Sequence, residues 1–426
     1  MLPKGRWSVI HPRLSGLWGH AEFRKLWAAQ TVSFVGSQVT LLALPLAAVL
    51  TLHASSAQMG LLRAVSLAPA LLLGLVAGVW VDRVHRRPIL ILADLGRAVL
   101  LGTIPLMAFA GSLSIGYLYL VAVLTGILTT FFDVAQASLL PMLVARERLV
   151  EGNSKLEVSR SLAMIVGPGL AGPLVQLVTA PLAIGVDALS FLGSAVFLAL
   201  MRTPEPAPTP PAEQSSLWSD MADGLRMVWQ HPLLRSMALS LSVYNFFSSL
   251  IAAVYVLYVV GQLTLPPTVV GLIYTLGSVS FLIGATGAQR VARRFGVGPT
   301  IVWGAGVSDA GALLIPLASG SAVTTVLLLI AAQCVATLAG PITAITQLSL
   351  RQAATPDRLQ GRVNGAMQAI ALGMSPAGAL VGGAFGGVLG LHATVLIGAI
   401  GMQAGFLVLL LSPLRRLASA QPTEPA

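Results

Sequence analysis

Charged residues are scarce in this sequence: Asp, Glu, Lys and Arg make up 9% of its 426 residues, against about a quarter in an ordinary soluble domain. That scarcity excludes a water-soluble globule. The 56% hydrophobic content and mean hydropathy of +0.85 place the chain in a membrane. Cysteine is nearly absent. Cys334 stands alone in an apolar run, which excludes an intramolecular disulfide and a thiolate metal site, and it reads as a small buried hydrophobe. The histidines (His11, His20, His53, His85, His231 and His392) fall in loops or tails with no paired metal spacing. There is no Gly-x-x-x-x-Gly-Lys-Ser/Thr phosphate loop, no hydrolase constellation and no soluble segment large enough to hold ATP. The chain is therefore not read as an enzyme, and neither a cofactor nor a metal is expected. The first 25 residues are polar and basic, without a convincing cleavage site, so the apolar run that follows reads as a retained helix.

Long apolar runs dominate the rest. A helix needs about 20 such residues to cross a bilayer, and twelve runs qualify. They lie near 26–50, 58–81, 89–110, 117–141, 158–178, 181–201, 236–260, 269–289, 298–318, 322–347, 365–389 and 393–412. The expected fold is all-α and integral to the membrane, with twelve transmembrane helices in two pseudo-symmetric six-helix bundles. The expected organisation is a tail at 1–25, a first bundle at 26–201, a linker at 202–235, a second bundle at 236–412 and a tail at 413–426.

The loops set the orientation. Those near 52–57, 111–116, 178–181, 261–268, 319–322 and 390–393 carry no Lys, Arg, Asp or Glu. The intervening segments carry Lys4, Arg24, Lys25, Arg83, Arg86, Arg87, Arg146, Arg148, Lys155, Arg202, Arg226 and Arg235. The series continues through Arg290, Arg293, Arg294, Arg351, Arg358, Arg362, Arg415 and Arg416. By the positive-inside rule that side is the cytoplasm, so both ends of the chain are expected there, in a multi-pass protein of the cytoplasmic (inner) membrane. The net charge of +10 is then topological, with anionic inner-leaflet lipid as its partner. With no basic stripe and no interleaved aromatics, nucleic acid is not expected as a partner; a monomer is.

The linker opens with Pro204, Pro206, Pro208, Pro210 and Pro211, a stiff, helix-hostile stretch. It continues with Leu217, Met221, Leu225, Val228 and Trp229 at helical spacing. That spacing predicts an amphipathic helix at the membrane interface, with a disordered linker as the alternative.

The two halves repeat. Asp82-Arg-Val-His-Arg-Arg87 recurs as Gln289-Arg-Val-Ala-Arg-Arg294, Arg148-Leu149 as Arg358-Leu359, and Pro168 as Pro376, at a near-constant offset. A duplicated six-helix unit with binding at the interface of the copies is a common secondary-transporter layout.

These residues also carry a family resemblance. Gly78-Val-Trp-Val-Asp82-Arg83-Val-His-Arg86-Arg87 resembles motif A of the major facilitator superfamily, and Gly167-Pro168-Gly169-Leu170-Ala171-Gly172 resembles its motif C, the antiporter motif of exporters. Leu140-Pro141, Asn153 and Pro356-Asp357-Arg358-Leu359-Gln360-Gly361-Arg362-Val363 are similar to the branch containing enterobactin exporters and macrolide-efflux proteins. The similarity runs over nearly the whole chain. There are departures. The arginine that motif B of drug–proton antiporters places four residues before a glycine is replaced by Ala122, ahead of Gly126, and the second copy of motif A has Gln289 for its aspartate.

The resemblance implies an inner latch at Gly78, Asp82, Arg83, Arg86 and Arg87, with Arg290, Arg293 and Arg294 as its second copy. Asp82 would receive charge-assisted hydrogen bonds when that side closes; simple lipid anchoring by the arginines is the alternative. Asp94 and Arg97, three apart on one face of the third span, are read as part of this inner charge network. Gly167, Pro168, Gly169 and Gly172, with Pro376, Gly378, Gly382 and Gly386 in the eleventh span, read as close-packing surfaces. The resemblance implies that these helices pack across the two halves and seal the leak. The Gly167-x-Gly169-x-x-Gly172 spacing also matches a dinucleotide fingerprint, but no strand or βαβ unit surrounds it.

A mid-bilayer charge costs about 2.5–3.5 kcal/mol on insertion scales, so each one is a functional candidate. Asp133 in the fourth span is the first choice for a proton-coupling carboxylate, since a carboxylate in a dry cavity can hold a proton in one state and release it in another. Phe131 and Phe132 beside it are candidates to stack on substrate, and a salt-bridge or capping role is the alternative for Asp133. Arg63 and Asp187 lie at similar depth and are candidates for a pair. Asp309 in the ninth span is less expected to face the cavity. Gln30, Gln38, Tyr244, Asn245 and Gln333 are candidate hydrogen-bonding groups, or simply glue between helices.

The energy must come from a gradient. One pH unit supplies about 1.4 kcal/mol per proton and 100 mV about 2.3 kcal/mol per charge. The expectation is a secondary transporter exporting small lipophilic compounds of the antibiotic, dye or siderophore class, by proton antiport with alternating access. An importer or facilitator of a polar metabolite is the alternative, followed by a non-transporting scaffold or sensor.

Overall fold

The computed structural model describes residues 16–81, 83–202 and 217–417. Asp82, Lys4, His11 and the proline run 204–211 lie outside the described residues. Those described form thirteen α-helices: α1 (Ala21–Leu50), α2 (Ser56–Val81), α3 (Arg86–Phe109), α4 (Ile115–Leu143), α5 (Leu149–Val178), α6 (Ala180–Ala199), α7 (Leu217–Gln230), α8 (Pro232–Val256), α9 (Pro267–Phe295), α10 (Val297–Leu313), α11 (Ala322–Ala353), α12 (Gln360–Val388) and α13 (Leu391–Leu411). Eleven of these are long and apolar enough to cross a membrane. The 17-residue α10, packed against α11 and α13, completes the twelve. It ends ahead of Pro316, sooner than hydropathy suggests. α5 and α12 begin earlier than hydropathy suggests, because their first turns continue the helix in polar sequence.

Short polar caps start several helices. Ser114 accepts from the Tyr117 N–H at 3.3 Å, and Ser321 from the Thr324 N–H at 3.2 Å. The α12–α13 connection turns at Gly390, with φ +86°, a left-handed conformation that glycine adopts freely. The equivalent turn between α5 and α6 is made at Thr179, with φ +119°.

Helices α1–α6 form one bundle and α8–α13 the other, and the packing of the first repeats in the second. The pairs α1–α6, α1–α5, α3–α6, α3–α4 and α2–α4 reappear as α8–α13, α8–α12, α10–α13, α10–α11 and α9–α11. The interior is rich in alanine and other small residues. Large side chains such as Leu72, Phe109, Leu177, Val388 and Leu411 point outward. A chain with no bilayer around it would not arrange itself this way, because lipid is as apolar as leucine and small residues let helices approach.

α7 is helical over Leu217–Gln230 and rests on the protein. Val228 is fully buried with residues of α8 and α12, Gly224 abuts the Arg362 backbone, and Asp223 meets Arg362 at 2.8 Å. Leu225 and Trp229 are exposed.

The halves meet through two symmetry-related pairs, α2–α12 and α5–α9. Both contacts lie at the end remote from the chain termini, here the far end. A Cβ added at Gly60 would come within 2.6 Å of the Ala379 carbonyl, and one at Gly172 within 2.6 Å of the Pro267 carbonyl. Thr268 donates to the Gln176 amide oxygen across the same seam. The halves are in close contact at the far end, and the space between them extends past Glu157, Thr286 and Gln347 toward the arginine-rich terminal end.

Candidate transport cavity

The space between the halves has two lobes. One, of about 670 Å³, is lined mainly by α1, α2 and α4; the other, of about 850 Å³, runs into the second half between α8, α9, α10 and α11. Ala252, Tyr274, Phe281, Gln333 and Thr337 line both, so the lobes are parts of one space. Each falls within the about 300–1,000 Å³ typical of small-molecule sites.

Asp133 lies in the first lobe and is exposed to it. It has no ion-pair or hydrogen-bond partner among the described residues; the charges facing it are Arg97 and Arg160. The aromatics beside it are elsewhere. Phe131 packs edge-on against Trp80, 5.3 Å between ring centres, and Phe132 is buried beneath the Arg97 guanidinium at 4.2 Å. Consecutive helix positions point about 100° apart, so Asp133 and its two neighbours cannot share one face.

Asp94 and Arg97 form a buried ion pair at 2.5 Å. Arg97 lies between the rings of Phe132 and Phe191, at 4.2 and 4.1 Å. The carboxylates around it are Asp94, Asp133 and Asp187. This corrects the expectation that the pair belongs to the inner charge network: it groups with the lobe carboxylates. Asp187 is 1% exposed, lines the lobe and accepts from Ser190 at 2.8 Å. It is not paired with Arg63. The charges near Asp187 are Arg97 and Asp94, whereas Arg63, which also lines the lobe, faces Tyr274 of the other half.

Of the polar candidates, Gln38 lines the first lobe, Tyr244 and Asp309 the second, and Gln333 both. Asn245 lies outside the lining: it donates to the Leu241 carbonyl at 2.8 Å and accepts from Ser375 of α12, which is helix glue. Gln30 is fully buried away from the cavity, with neither amide atom bonded among the described residues. Tyr255, Tyr274, Phe281 and Glu157 also line the space, although charge and motif reasoning does not point to them. The signal for the three aromatics is a stripe at helical spacing in α8, Ser240-Tyr244-Ser248-Ala252-Tyr255, and another in α9, Tyr274-Ser278-Phe281; Glu157 lies on α5 and has no such stripe.

At the terminal end, Arg87 donates to the carbonyls of Leu198 and Ala199, at 2.9 and 2.6 Å. It thereby caps the C-terminus of α6, where a cation also meets the negative end of the helix dipole. Arg83 is exposed, Arg86 half-buried, and among the described residues nothing beyond its own helix turn comes within 4 Å of a Cβ added at Gly78. In the second copy, Arg290, Arg293 and Arg294 are exposed, and Arg293 bonds Gln289 at 3.3 Å.

The glycine motifs divide their work differently from expectation. Gly169 and Gly172 do face the other half, at Thr275, Pro267 and Gly271 of α9, but Gly167 faces Gln38 of α1. Gly378 and Gly382 face Phe246 and Leu250 of α8, within their own bundle; Gly383 and Gly386 meet α2, at Gly60 and Ser56, and Gly386 also touches Val254 of α8. Four-residue spacing keeps Gly378 and Gly382 on one helix face, and that face is the one turned to α8. Pro168 and Pro376 both lie within helices, α5 and α12 respectively. α5 and α12 each cross to the other half at a different partner, α9 and α2 respectively.

Twelve membrane-crossing helices in two related bundles, around a cavity open at one end, define a multi-pass membrane transporter. The sequence model of the Major Facilitator Superfamily matches residues 26–375, and the chain belongs to that family, whose members carry small molecules and are generally not enzymes. It is 28% identical over 401 residues to "Multidrug efflux pump Tap" of Mycolicibacterium fortuitum, covering 92% of this chain and 96% of that one. It is 26% identical over 226 residues to "Macrolide efflux protein A" of Streptococcus pyogenes, covering 53% and 55%. The fold matches the crystal structure of the nucleoside transporter NupG with a TM-score of 0.69 at 12% identity, over 91% of this chain and 98% of that one.

Proposed function

We propose that this protein exports small lipophilic compounds of the antibiotic, dye or siderophore class by proton antiport, through alternating access of the cavity. The arginine-rich end is the cytoplasmic one on the positive-inside rule, so the cavity open at that end stands ready to load from the cytoplasm or inner leaflet. The relatives at similar length are named as efflux pumps, which supports export.

The observation that carries coupling is Asp133, exposed to the first lobe with no ion-pair partner among the described residues. Such a carboxylate is free to exchange a proton with the open cavity, and its charge then alters the field felt by Arg97 and by a bound substrate. Asp187, deeper in the same lobe, is held by Ser190; it is the second residue through which protonation reaches the helix packing. The lining is otherwise largely apolar, as suits a lipophilic cargo.

The test is dye accumulation in cells expressing the protein. Expression lowers accumulation of a transported dye, and an uncoupler restores it. Unchanged accumulation across a broad panel, or efflux that survives collapse of the proton gradient, contradicts the proposal.

A further inference from the structure

The lobe in the second half contains a carboxylate that nothing among the described residues answers. Asp309 lies roughly 18 Å along α10 from Val297. It is 3% exposed, and it lines the lobe. Among the described residues its side chain enters no ion pair and no hydrogen bond. The first half treats its buried carboxylates differently, for Asp94 has Arg97 at 2.5 Å and Asp187 has Ser190 at 2.8 Å. Among the described residues no Lys, Arg or His lines the second lobe. Its other carboxylate, Glu157 of α5, is exposed. Tyr244 and Phe281 present partly exposed rings to the same space, at 37% and 38%.

We infer that this lobe is a subsite for a lipophilic organic cation, with a quaternary or protonated tertiary ammonium centre seated against Asp309 and its apolar groups against Tyr244 and Phe281. A buried anion without a counter-charge is unfavourable, and a ligand that brings the missing charge relieves it. An organic cation is weakly hydrated, so it enters an apolar lobe readily, and aromatic faces attract it. A hard metal ion is a poor fit, because it needs several oxygen ligands around one point and the floor offers a single carboxylate. The inference deepens the exporter reading and rests on it only for release of the ligand on the other side, not for binding.

The test is equilibrium binding of radiolabelled tetraphenylphosphonium to the purified full-length protein in lipid nanodiscs, without any gradient. Radiolabelled tetraphenylborate, of the same shape and opposite charge, is measured in a separate sample, because the two ions pair with each other in solution. The account expects saturable binding of the cation and no saturable binding of the anion. Asp309→Asn weakens binding about tenfold or more, Asp309→Glu largely retains it, and Tyr244→Leu weakens it several-fold. Equal affinity in Asp309→Asn, or saturable binding of tetraphenylborate with equal affinity in its separate sample, overturns the inference. If Asp309→Asn does not fold, as judged by its thermal unfolding profile, charge discrimination by the wild-type protein decides alone. Binding without efflux in vesicles would contradict export and leave the subsite standing. Efflux of a neutral compound by a protein that does not bind tetraphenylphosphonium would contradict only the subsite.

Discussion

The guanidinium of Arg97 meets the carboxylate of Asp94 at 2.5 Å, one turn away on α3, with side chains 4% and 0% exposed. The pair is enclosed by Phe132 and Phe191, so neither charge has water to fall back on. Removing one partner strands the other. Asp94→Asn is expected to destabilise the protein by about 3–5 kcal/mol, whereas the double replacement Asp94→Leu with Arg97→Met is expected to be close to neutral or stabilising. Thermal unfolding of the purified variants in detergent checks the order. A double variant less stable than Asp94→Asn would show that the pair's role is not electrostatic.

Thr179 is the second expectation. Its φ of +119° with ψ of 157° falls in a region occupied almost only by glycine, where other residues are strained by about 1–3 kcal/mol. The corresponding turn in the second half uses Gly390. Thr179→Gly should therefore raise stability by about 1 kcal/mol, relief of strain outweighing the added freedom of the unfolded chain. The same melting experiment reads it.

The far-end seam gives a third. A leucine at Gly172 would collide with the Pro267 carbonyl and the Thr268 and Gly271 backbone of α9, none of which is a flexible side-chain end. Gly172→Leu should hold the far end open and abolish transport. With Cys334→Ser as background, a cysteine placed at Thr337 in the cavity should react with a membrane-impermeant thiol reagent from the terminal side. In Gly172→Leu it should react from the far side. Unchanged sidedness would mean the seam tolerates the side chain.

The docking of α7 gives a fourth. The Asp223–Arg362 bridge is partly exposed, so Asp223→Ala should cost no more than about 1 kcal/mol. Val228 is fully buried against α8 and α12, and Val228→Asp should cost about 3 kcal/mol or more and free α7. Protease sensitivity of the segment around α7 distinguishes the two variants.

Much of the fold was legible in the sequence because the bilayer fixes the length of each span and the two halves repeat the same landmarks. The faces were not. In helices such as α4 and α10 nearly every residue is apolar, so periodicity does not separate the lipid side from the cavity side. Phe131 and Phe132, adjacent to Asp133 in sequence, lie outside the cavity, while Tyr255 of α8 and Tyr274 of α9 meet at its wall with ring centres 6.0 Å apart. Asp309 belongs to the ninth span, which sequence alone does not mark as cavity-lining, yet the second lobe reaches it between α8 and α11. Charge is the better guide: Asp133, Asp187, Arg63 and Asp309, which stand out because charge is rare in a membrane, all line the lobes. The Asp94–Arg97 pair is local to α3, three residues apart; the gathering of Asp133 and Asp187 around the same arginine depends on the packing of α3 against α4 and α6, which no local pattern encodes.

Coupling of cargo to protons through Asp133 is tested most directly in inverted membrane vesicles carrying an acid-inside pH gradient, with a panel of macrolides, dyes and siderophores added from outside. The account predicts that a transported compound discharges the gradient with the wild-type protein. It predicts that Asp133→Asn, folded and still binding the compound, does not. Full discharge by Asp133→Asn would contradict the assignment of coupling to Asp133, and no discharge by any transported compound in the wild type would contradict proton antiport itself.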